Sequence, residues 1–326
     1  MIELVAQSEA MQEAVGLADR VAATDANVLI TGESGAGKDA LAFYIHSRSP
    51  RATQPLVKID CATLPGELLE AELFGYERGA FTSASETKPG RLEAAHGGTL
   101  VLDEIAYLSN DSQAKLLRVI ETREFERLGG RETIKVDARL LALTNVDLTK
   151  AVARRNFRED LFYRLNVVHI HVPPLRERVA DLPKLTSSLV RTYAAKHGRE
   201  VNGVSSEVVS LLSDYDFPGN VRELANAIER AVIFVSGKQI EVADLPSAMR
   251  ISVSAQRQQR QPRSLAEVEA DYLQETLSTT GGNKTAAARI LGISRKNLYE
   301  RLERIEKGSE KANHEITVTK ALSDPL

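Results

Sequence analysis

The chain has 326 residues, of which 43% are hydrophobic and 27% are charged, and its formal net charge is -3. This composition is typical of a globular protein and excludes wholesale disorder, while the length predicts about two domains with room for a small third. No apolar run approaches the ~18 residues of a membrane span. The single cysteine, Cys61, excludes an internal disulfide. The net charge excludes a globally basic nucleic-acid coat, though not a local basic patch. We therefore expect a cytoplasmic protein.

Short apolar strands alternate with helical patterns in the first half of the chain. Nearly continuous apolar runs predict strands of a parallel sheet covered on both faces, and they lie at 28–31, 56–60, 99–104, 139–145 and 166–172. Helical patterns lie between them at 39–47, 66–74 and 111–122. This alternation predicts a three-layer α/β domain over residues 1–172.

The second half of the chain is predicted to be helical. Two consecutive prolines end the last strand, and a smaller all-helical domain is predicted over 173–248, with helices at 180–197, 205–214 and 219–235. The polar, Gln- and Arg-rich stretch 249–263 predicts a flexible linker. A further helical unit is predicted over 264–306, followed by a polar tail over 307–326.

The strongest motif is GESGAGK, which follows the first predicted strand and opens a helix. This context is that of a phosphate-binding loop, whose glycines let the backbone wrap around phosphate oxygens while the helix N-terminus supplies positive potential. Lys38 would reach the β- and γ-phosphates. Asp39 stands where such loops usually carry a Ser or Thr ligand for Mg²⁺, so the cation must be held by other groups. We expect ATP to be bound by consecutive residues, namely Gly32, Glu33, Ser34, Gly35, Ala36, Gly37, Lys38 and Asp39.

Two adjacent carboxylates end the strand 99–104. Asp103 would coordinate Mg²⁺, usually through water, and Glu104 would orient and polarise an attacking water. Asn145, at the end of the next strand, would reach the γ-phosphate or that water, although Thr-Asn is also a common exit from a strand. An Asp-Glu pair alone is common at a strand end, but together with the upstream loop it predicts hydrolysis of a nucleoside triphosphate.

The unit 264–306 contains a helix-turn-helix pattern, in which KTAAARIL and RKNLYERL flank a turn at Gly292. Its apolar contacts are expected from Ala286, Ala287, Ile290 and Leu298. An excess of cations favours contact with phosphates rather than a plain helical hairpin. Residues near the start of the second helix are expected to contact DNA, namely Arg295, Lys296, Asn297, Tyr299 and Arg301. The preceding helix, 265–279, suits dimerisation.

From about Ser8 to Ile305 the chain resembles bacterial enhancer-binding activators of sigma-54 RNA polymerase, which are AAA+ ATPases with a Fis-type helix-turn-helix module. Seven motifs in the family's order carry this resemblance: GESGAGKD at 32–39, ELFGYERGAFTSA at 72–84, GGTLVLDEI at 97–105, KLLRVIETREFERLGG at 115–130, FREDLFYRLNV at 157–167, PPLRER at 173–178 and FPGNVREL at 217–224.

The resemblance implies roles that the residues alone do not. Arg158 and Arg164 match positions that reach the γ-phosphate of a neighbouring subunit, whereas without the resemblance they indicate an ion-paired helix face. Arg222 matches the sensor arginine of the helical domain. The sigma-contacting loop matches 79–84, with Phe81 and Thr82 at its tip and its other members Gly79, Ala80, Ser83 and Ala84. The plainer alternative for the loop is a hairpin with Phe81 in the core.

Three residues depart from the family pattern. Asp39 replaces the usual Glu, Ser83 replaces a Gly, and Asp60 replaces an Asn that acts as a switch beside the catalytic Glu. Like-charge repulsion between Asp60 and Glu104 would raise the pKa of one of the two carboxyl groups unless a cation lies close to them. Cys61 is expected to be a buried core residue, and the pair His169 and His171 has too few partners for a metal site.

The sequence therefore predicts a sigma-54-dependent activator that binds upstream double-stranded DNA as a dimer and assembles into a ring, as in the family a hexamer, powered by ATP and Mg²⁺. Since the ATPase pattern begins near Met1, we expect regulation by a separate trans-acting protein or by expression level. One alternative is a DNA-binding regulator of ordinary polymerase with a degenerate loop, which Ser83 and Asp60 keep open. Another is a general AAA+ remodeller, against which the helix-turn-helix pattern argues.

Overall fold

The structure, a computed structural model, describes residues 4–82, 84–260 and 265–303. Internal contacts divide the chain into two units, Met1–Ser254 and Ala255–Leu326. In the part of the chain that the structure describes, no helix has the length and apolar character needed to cross a bilayer.

The first unit contains a five-stranded parallel sheet. Its strands are β1 (Val28–Thr31), β2 (Leu56–Asp60), β3 (Thr99–Asp103), β4 (Arg139–Thr144) and β5 (Val168–His171), in the order β2-β3-β4-β1-β5. All neighbouring pairs are parallel. Each of the five predicted strands is present, with ends that differ by at most two residues. The predicted α/β fold is confirmed.

Alternating side chains of β1 divide the apolar core into two layers. Val28 and Ile30 belong to one cluster with the helices Glu9–Ala22 and Lys38–Ser47. Leu29 belongs to the other cluster, which includes residues of Gly66–Phe74, Asn110–Thr122 and Glu159–Leu165. Shorter helices and 3-10 turns of this region are Arg91–Ala94, Ile105–Tyr107 and Leu148–Ala153.

Two short antiparallel ladders project from the α/β domain. One pairs Gly75–Tyr76 with Lys88–Pro89, and it flanks the predicted sigma-contacting loop. The other pairs Glu124–Phe125 with Ile134–Lys135.

A helical lid follows the sheet in the same unit. Its helices are Leu182–His197, Ser206–Asp214, Asn220–Phe234 and Ser247–Arg260, and its 3-10 turns are Leu175–Glu177, Val179–Asp181 and Val242–Asp244. A small parallel ladder pairs Gly203–Val204 with Gln239–Ile240. One apolar cluster fills the lid.

The stretch that we expected to be a flexible linker, 249–263, is helical up to Arg260. Met249 and Val253 are each 2% exposed and belong to the apolar cluster of the lid. Their spacing of four residues places both on one helix face, and the Gln and Arg residues around them are good helix formers. Polar composition alone therefore indicated the wrong local structure. The rest of the expected linker, 261–263, lies outside the described residues, as does the polar tail 307–326.

The second unit contains the helices Leu265–Thr279 and Lys284–Ile290 and a helix at 295–303. Asn283 caps the second of these by accepting hydrogen bonds from Thr285 N and Ala286 N. Its core contains Leu273, Ala287, Ala288 and Leu298. Ile290, which we expected in this core, is 57% exposed, because two residues after Ala288 a helix has turned by about 200°.

Candidate functional site

The predicted phosphate-binding loop joins β1 to the helix Lys38–Ser47. Gly35 has φ 74°, and a Cβ there would lie 2.4 Å from Gly219 O. Gly37, at φ 106°, is the N-cap of the helix and has no side-chain cap. The loop therefore needs glycine both for its backbone conformation and for the close approach of the lid. It leaves the first N–H groups of a ten-residue helix without a side-chain cap.

The Lys38 side chain is 7% exposed and lies under the loop. Its Nζ donates to Gly32 O at 2.9 Å and Glu33 O at 3.2 Å, and it lies 4.0 Å from Glu104 Oε1. Burial lowers the pKa of Lys38, while Glu104 and Asp103 oppose that shift. The structure thus brings the lysine of one motif and the carboxylate pair of another together, as the sequence predicts.

The carboxylates follow β3 at the carboxyl edge of the sheet. Glu104 has φ 51°, a left-handed conformation that is uncommon for a non-glycine residue. Its amide donates to Asp103 Oδ1 at 3.0 Å, and its Oε2 accepts from the Asn145 N–H at 3.3 Å. The kink turns Glu104 away from the strand direction, so the two adjacent carboxylates face different partners. The exposed Asn145 is connected to this site through its backbone N–H.

Lys58, on the neighbouring strand β2, was not singled out from the sequence. Its Nζ lies 2.8 Å from Asp103 Oδ2 and also donates to Asp39 Oδ1. Burial opposes its charge, but the hydrogen bonds to Asp103 and Asp39 outweigh burial and raise the pKa of Lys58. The charged ammonium therefore bridges Asp103, the predicted metal ligand, and Asp39, at the start of the helix after the phosphate-binding loop. No motif contains this residue, so only the pairing of the strands reveals it.

The lid holds the phosphate-binding loop by a set of contacts that the sequence did not predict. The carboxylate of Glu33 accepts from Arg176 at 2.6 and 2.8 Å and from Asn220 Nδ2 at 3.0 Å, and these hydrogen bonds lower the pKa of Glu33 to about 2. Asn220 is fully buried and has φ 53°. Its amide also donates to Ser34 O at 3.1 Å and accepts from Leu175 N at 2.7 Å. Asn220 thus connects the loop to two lid segments.

Further bonds continue along the loop. Gly35 O accepts from Val221 N at 3.1 Å, and Ala36 O accepts from a buried Arg178 guanidinium. Burial lowers the pKa of Arg178. Each residue from 33 to 36 therefore contacts the lid through at least one hydrogen bond, which ties the position of the lid to the conformation of the loop.

A cavity of about 400 Å³ lies between the loop, the carboxylates and the lid. Its polar wall includes Lys38, Asp103, Glu104 and Arg222, and Arg222 also donates to Ser34 Oγ at 2.8 Å. Its apolar wall is formed by side chains from both ends of the unit, namely Leu4, Val5, Met11, Leu185, Tyr193 and Val221. One cavity thus combines a phosphate-binding wall with a wall that suits a flat apolar ring. The apolar wall has no motif and was not predicted.

Asp60 lies beside Asp103 in the strand register. Its Oδ1 accepts from Ala62 N at 2.9 Å, so the described contact is a local turn rather than a bond to Glu104. Cys61 is 2% exposed, as predicted, and burial together with Asp60 raises the pKa of its thiol to about 12. A thiol with that pKa is not a nucleophile at neutral pH.

The two arginines expected to act on a neighbouring subunit lie on the surface. Arg158 forms a bidentate pair with Asp160, at 3.0 and 2.7 Å, and Arg164 lies 3.1 Å from Glu121. Within the described part of the chain, neither lines the cavity that contains Lys38. The exposed position is compatible with both interpretations made from the sequence, an ion-paired face and a contact with another subunit.

The predicted loop 79–84 turns at Gly79, which has φ 83°. Phe81 is 37% exposed, and its ring lies edge-on to Tyr76 with centroids 4.9 Å apart. Ala80 is half-buried, Thr82 is exposed, and Ala84 is buried. The alternative with Phe81 in the core is therefore wrong. Ser83 lies outside the described residues.

The residues predicted to contact DNA lie on the helix 295–303. Arg295, Lys296 and Tyr299 are exposed. Asn297 accepts from Arg301 Nε at 2.8 Å, and Arg301 also pairs with Glu269. The first three side chains are thus open to a ligand, while Arg301 is tied to its own unit.

The two histidines of β5 share one partner, since His169 Nε2 and His171 Nδ1 lie 2.8 and 3.2 Å from Thr31 Oγ1. Burial and the neighbouring His171 lower the pKa of His169. No cluster of three or more ligating side chains occurs among the residues described.

A phosphate-binding loop between a parallel sheet and a helical lid defines an AAA+ nucleotide-binding protein. Three family descriptions match the chain in succession: Sigma-54 interaction domain over 4–171, AAA+ ATPase lid domain over 176–262, and Bacterial regulatory protein, Fis family, over 264–304. The chain therefore belongs to the family of bacterial sigma-54-dependent transcriptional regulators with a helix-turn-helix DNA-binding module.

Similar proteins agree with this assignment. The transcriptional regulatory protein ZraR of Escherichia coli K12 is 46% identical over 92% of this chain and 68% of its own length. The transcriptional regulatory protein FlbD of Caulobacter vibrioides is 44% identical over 92% of this chain and 70% of its own length. Among solved structures, NtrX from Brucella abortus in complex with ATP matches with a TM-score of 0.69 and 36% identity, covering 93% of this chain and 69% of that one.

Proposed function

We propose that this protein is a transcription activator that hydrolyses ATP to remodel the closed complex of sigma-54 RNA polymerase. The observation that carries the proposal is the single cavity that joins Lys38 to Asp103 and Glu104, in a chain that also has a sigma-54 interaction domain and a DNA-binding module. NtrX from Brucella abortus, a related protein of the same fold, has been solved in complex with ATP.

The residues from Gly32 to Asp39 would hold the phosphates of ATP, and Arg222 would contact them from the lid. The apolar wall would hold the base. Lys38 would leave its two carbonyl partners, Gly32 O and Glu33 O, and bind the β- and γ-phosphates, because an ammonium bonds more strongly to a charged phosphate oxygen than to a neutral carbonyl oxygen. The lid contacts of Glu33 and Asn220 would then carry this change in the loop to the lid.

Asp103 would hold Mg²⁺ as the sequence predicts, and Asp39, which the sequence alone did not assign to the ion, would join it because the two carboxylates lie close enough to share one ammonium. These residues fit the ion. Both are carboxylates, the oxygen donors that this ion prefers, and one ammonium already reaches both of them. When bound, the ion would neutralise charge on the phosphates.

Glu104 would act as the base that orients the attacking water. It is 19% exposed, is held by the Asn145 N–H, and lies beside the position of the phosphates that Lys38 marks. The Asn145 side chain would help to place the water or the γ-phosphate. Asp60, one strand away, would bond within the same region.

Hydrolysis would require neighbouring subunits. A phosphoryl transfer needs a fixed cation near the γ-phosphate, and Arg158 and Arg164 are exposed on this chain outside its own cavity. We propose that they leave their present partners, Asp160 and Glu121, and bind the γ-phosphate held by the next subunit. The assembly would range from a dimer to a hexameric ring. The ring would assemble in the cytoplasm on upstream DNA that Arg295, Lys296, Asn297, Tyr299 and Arg301 contact.

The loop 79–84 would deliver the work to sigma-54. Phe81 is an aromatic side chain that rests on Tyr76 while remaining 37% exposed, and exposed apolar groups of this kind mark partner surfaces. Thr82, beside it, is exposed and offers a hydroxyl to the same partner.

Thr82→Ala is expected to separate the two activities. ATP hydrolysis should stay within about twofold of wild type, because Thr82 lies outside the nucleotide cavity. Formation of open promoter complexes should fall at least about tenfold, the effect of losing roughly 1.4 kcal/mol of contact with the partner. The measurement is open-complex formation on a sigma-54 promoter, with phosphate release recorded in parallel. Thr122→Ala, which removes the hydroxyl of another exposed threonine at the end of a helix, is the control. Full open-complex formation by Thr82→Ala would refute the role of the loop.

A further inference from the structure

Lys58 occupies an unusual position for a lysine in a nucleotide-binding protein. Its Nζ is 2.8 Å from Asp103 Oδ2 and hydrogen-bonded to Asp39 Oδ1. Asp103 ends β3 and Asp39 begins the helix after the phosphate-binding loop, so the ammonium links the two elements between which a triphosphate would extend. Among the residues that the structure describes, neither carboxylate has a second cation as close.

The charges at this position need compensation. Asp39, Asp103 and Glu104 all line the cavity, and a triphosphate brings several further negative charges to the same place. Lys38 and Arg222 offer cations on the cavity wall, and Lys58 offers a further one that contacts Asp39 and Asp103 directly. A divalent cation held by Asp39 and Asp103 would compete with the Lys58 ammonium, because two cations on the same oxygens repel each other.

We propose that Lys58 is a positioning residue that acts as a stand-in cation. It offsets part of the negative charge of Asp39 and Asp103 while no divalent cation is bound, which lets a triphosphate enter the cavity without metal, and it leaves these carboxylates when Mg²⁺ binds. This inference rests on the proposed function, since it assumes that the cavity binds a nucleoside triphosphate.

Lys58 lies on β2 and its side chain is 43% exposed, so the ammonium has room to move away from the two carboxylates. This exposure distinguishes it from Lys38, which is 7% exposed. An exposed side chain has room to move aside for a divalent cation, whereas the Lys38 side chain is enclosed beneath the phosphate-binding loop. The difference in burial assigns the exchange to Lys58 rather than to Lys38.

The test is the binding of a fluorescent ATP analogue to the full chain by anisotropy, in excess EDTA and in saturating Mg²⁺. Lys58→Met keeps the aliphatic length and removes the charge. In EDTA it should bind the analogue about tenfold more weakly than wild type, the effect of losing one attractive charge at short range. In saturating Mg²⁺ the dissociation constants of the two proteins for the analogue should agree within about twofold. When Mg²⁺ is titrated, Lys58→Met should reach half of its full increase in analogue binding at a lower Mg²⁺ concentration than wild type.

Two further variants make the result specific. Lys58→Arg keeps the charge and should bind the analogue in EDTA as wild type does. Lys88→Met removes an ammonium of similar exposure that pairs with Glu72 rather than with the carboxylates of the cavity. It should bind the analogue as wild type does, both in EDTA and in Mg²⁺. Thermal melting of the nucleotide-free proteins is the second measurement, in which Mg²⁺ should stabilise Lys58→Met more than wild type.

Two results would overturn the inference. One is binding by Lys58→Met in EDTA equal to that of wild type, and the other is an equal loss in EDTA and in Mg²⁺, which would mark a merely structural role. If wild type bound no triphosphate under either condition, the proposed function itself would fail. The two failures are therefore distinguishable.

Discussion

Lys38→Ala is expected to abolish ATP hydrolysis, lowering the rate of phosphate release by at least about 100-fold, the usual cost of removing one group that stabilises transition-state charge. Lys38 is buried under the loop, where its charge faces Glu104 and two backbone carbonyls. Alanine leaves those carbonyls and the incoming phosphates without the cation. Weaker nucleotide binding should accompany the loss.

The control for this variant is Lys150→Ala. The Lys150 side chain is 74% exposed, and among the described residues its ion-pair partner is Asp147, the N-cap of its helix. Its removal should leave turnover unchanged. Both variants should keep DNA binding in a mobility-shift assay, because the helix-turn-helix module belongs to a different unit of the chain. Hydrolysis by Lys38→Ala within twofold of wild type would show that the cavity is not the site of turnover.

Glu104→Gln is expected to separate binding from hydrolysis. Glutamine keeps the size of the side chain and an oxygen for the Asn145 N–H, but it does not accept a proton. The rate should fall about 10²- to 10⁴-fold, the usual range for a general base. Binding of the fluorescent ATP analogue should remain within a few-fold of wild type. The measurement is single-turnover hydrolysis together with analogue binding.

A matched surface variant controls for the loss of one carboxylate. Glu229→Gln removes a carboxylate that pairs with Lys196 and His197 in the lid, and it should leave both hydrolysis and binding unchanged. A Glu104→Gln protein that hydrolyses ATP at the wild-type rate would exclude Glu104 as the base. Failure to bind the analogue would instead indicate a role for Glu104 in shaping the cavity.

The strands and the phosphate-binding loop are predictable from sequence because their signals are local. A continuous apolar run marks a strand buried on both faces, and GESGAGK combines glycine, lysine and a helix start within a few residues. The pairing of Lys38 with Glu104 follows from one further rule, that parallel strands end at the same edge of a sheet. Local sequence patterns therefore predict the polar wall of the cavity.

The rest of the site depends on contacts between distant residues. Asn220 meets Glu33 across 187 positions of the chain, and Lys58 meets Asp103 only because β2 and β3 are neighbours. Arg139 shows the same limit in the core: it is 1% exposed, and its guanidinium donates to the carbonyls of Val21 and Ala22 at the end of a helix. From the sequence, a charged residue at the start of a strand does not indicate that its side chain is buried against the end of a helix.

The helix Ser247–Arg260 shows a second kind of limit. Its composition is that of a linker, yet two apolar residues four positions apart give it a buried face. Composition averages over a stretch, whereas packing depends on which few positions share a face. The exposed Ile290 is the converse case, an apolar residue that the pattern assigned to a core that its helix face does not reach.

The central claim is that ATP hydrolysis by this protein drives the opening of promoter complexes by sigma-54 polymerase. The most direct test is open-complex formation in vitro with purified sigma-54 polymerase, a promoter carrying the upstream DNA site, and either ATP or a non-hydrolysable analogue. We expect open complexes with ATP, and none above background with the analogue or with Glu104→Gln. Opening that proceeds equally well with the analogue, or no opening with ATP from a protein that hydrolyses it, would contradict the claim.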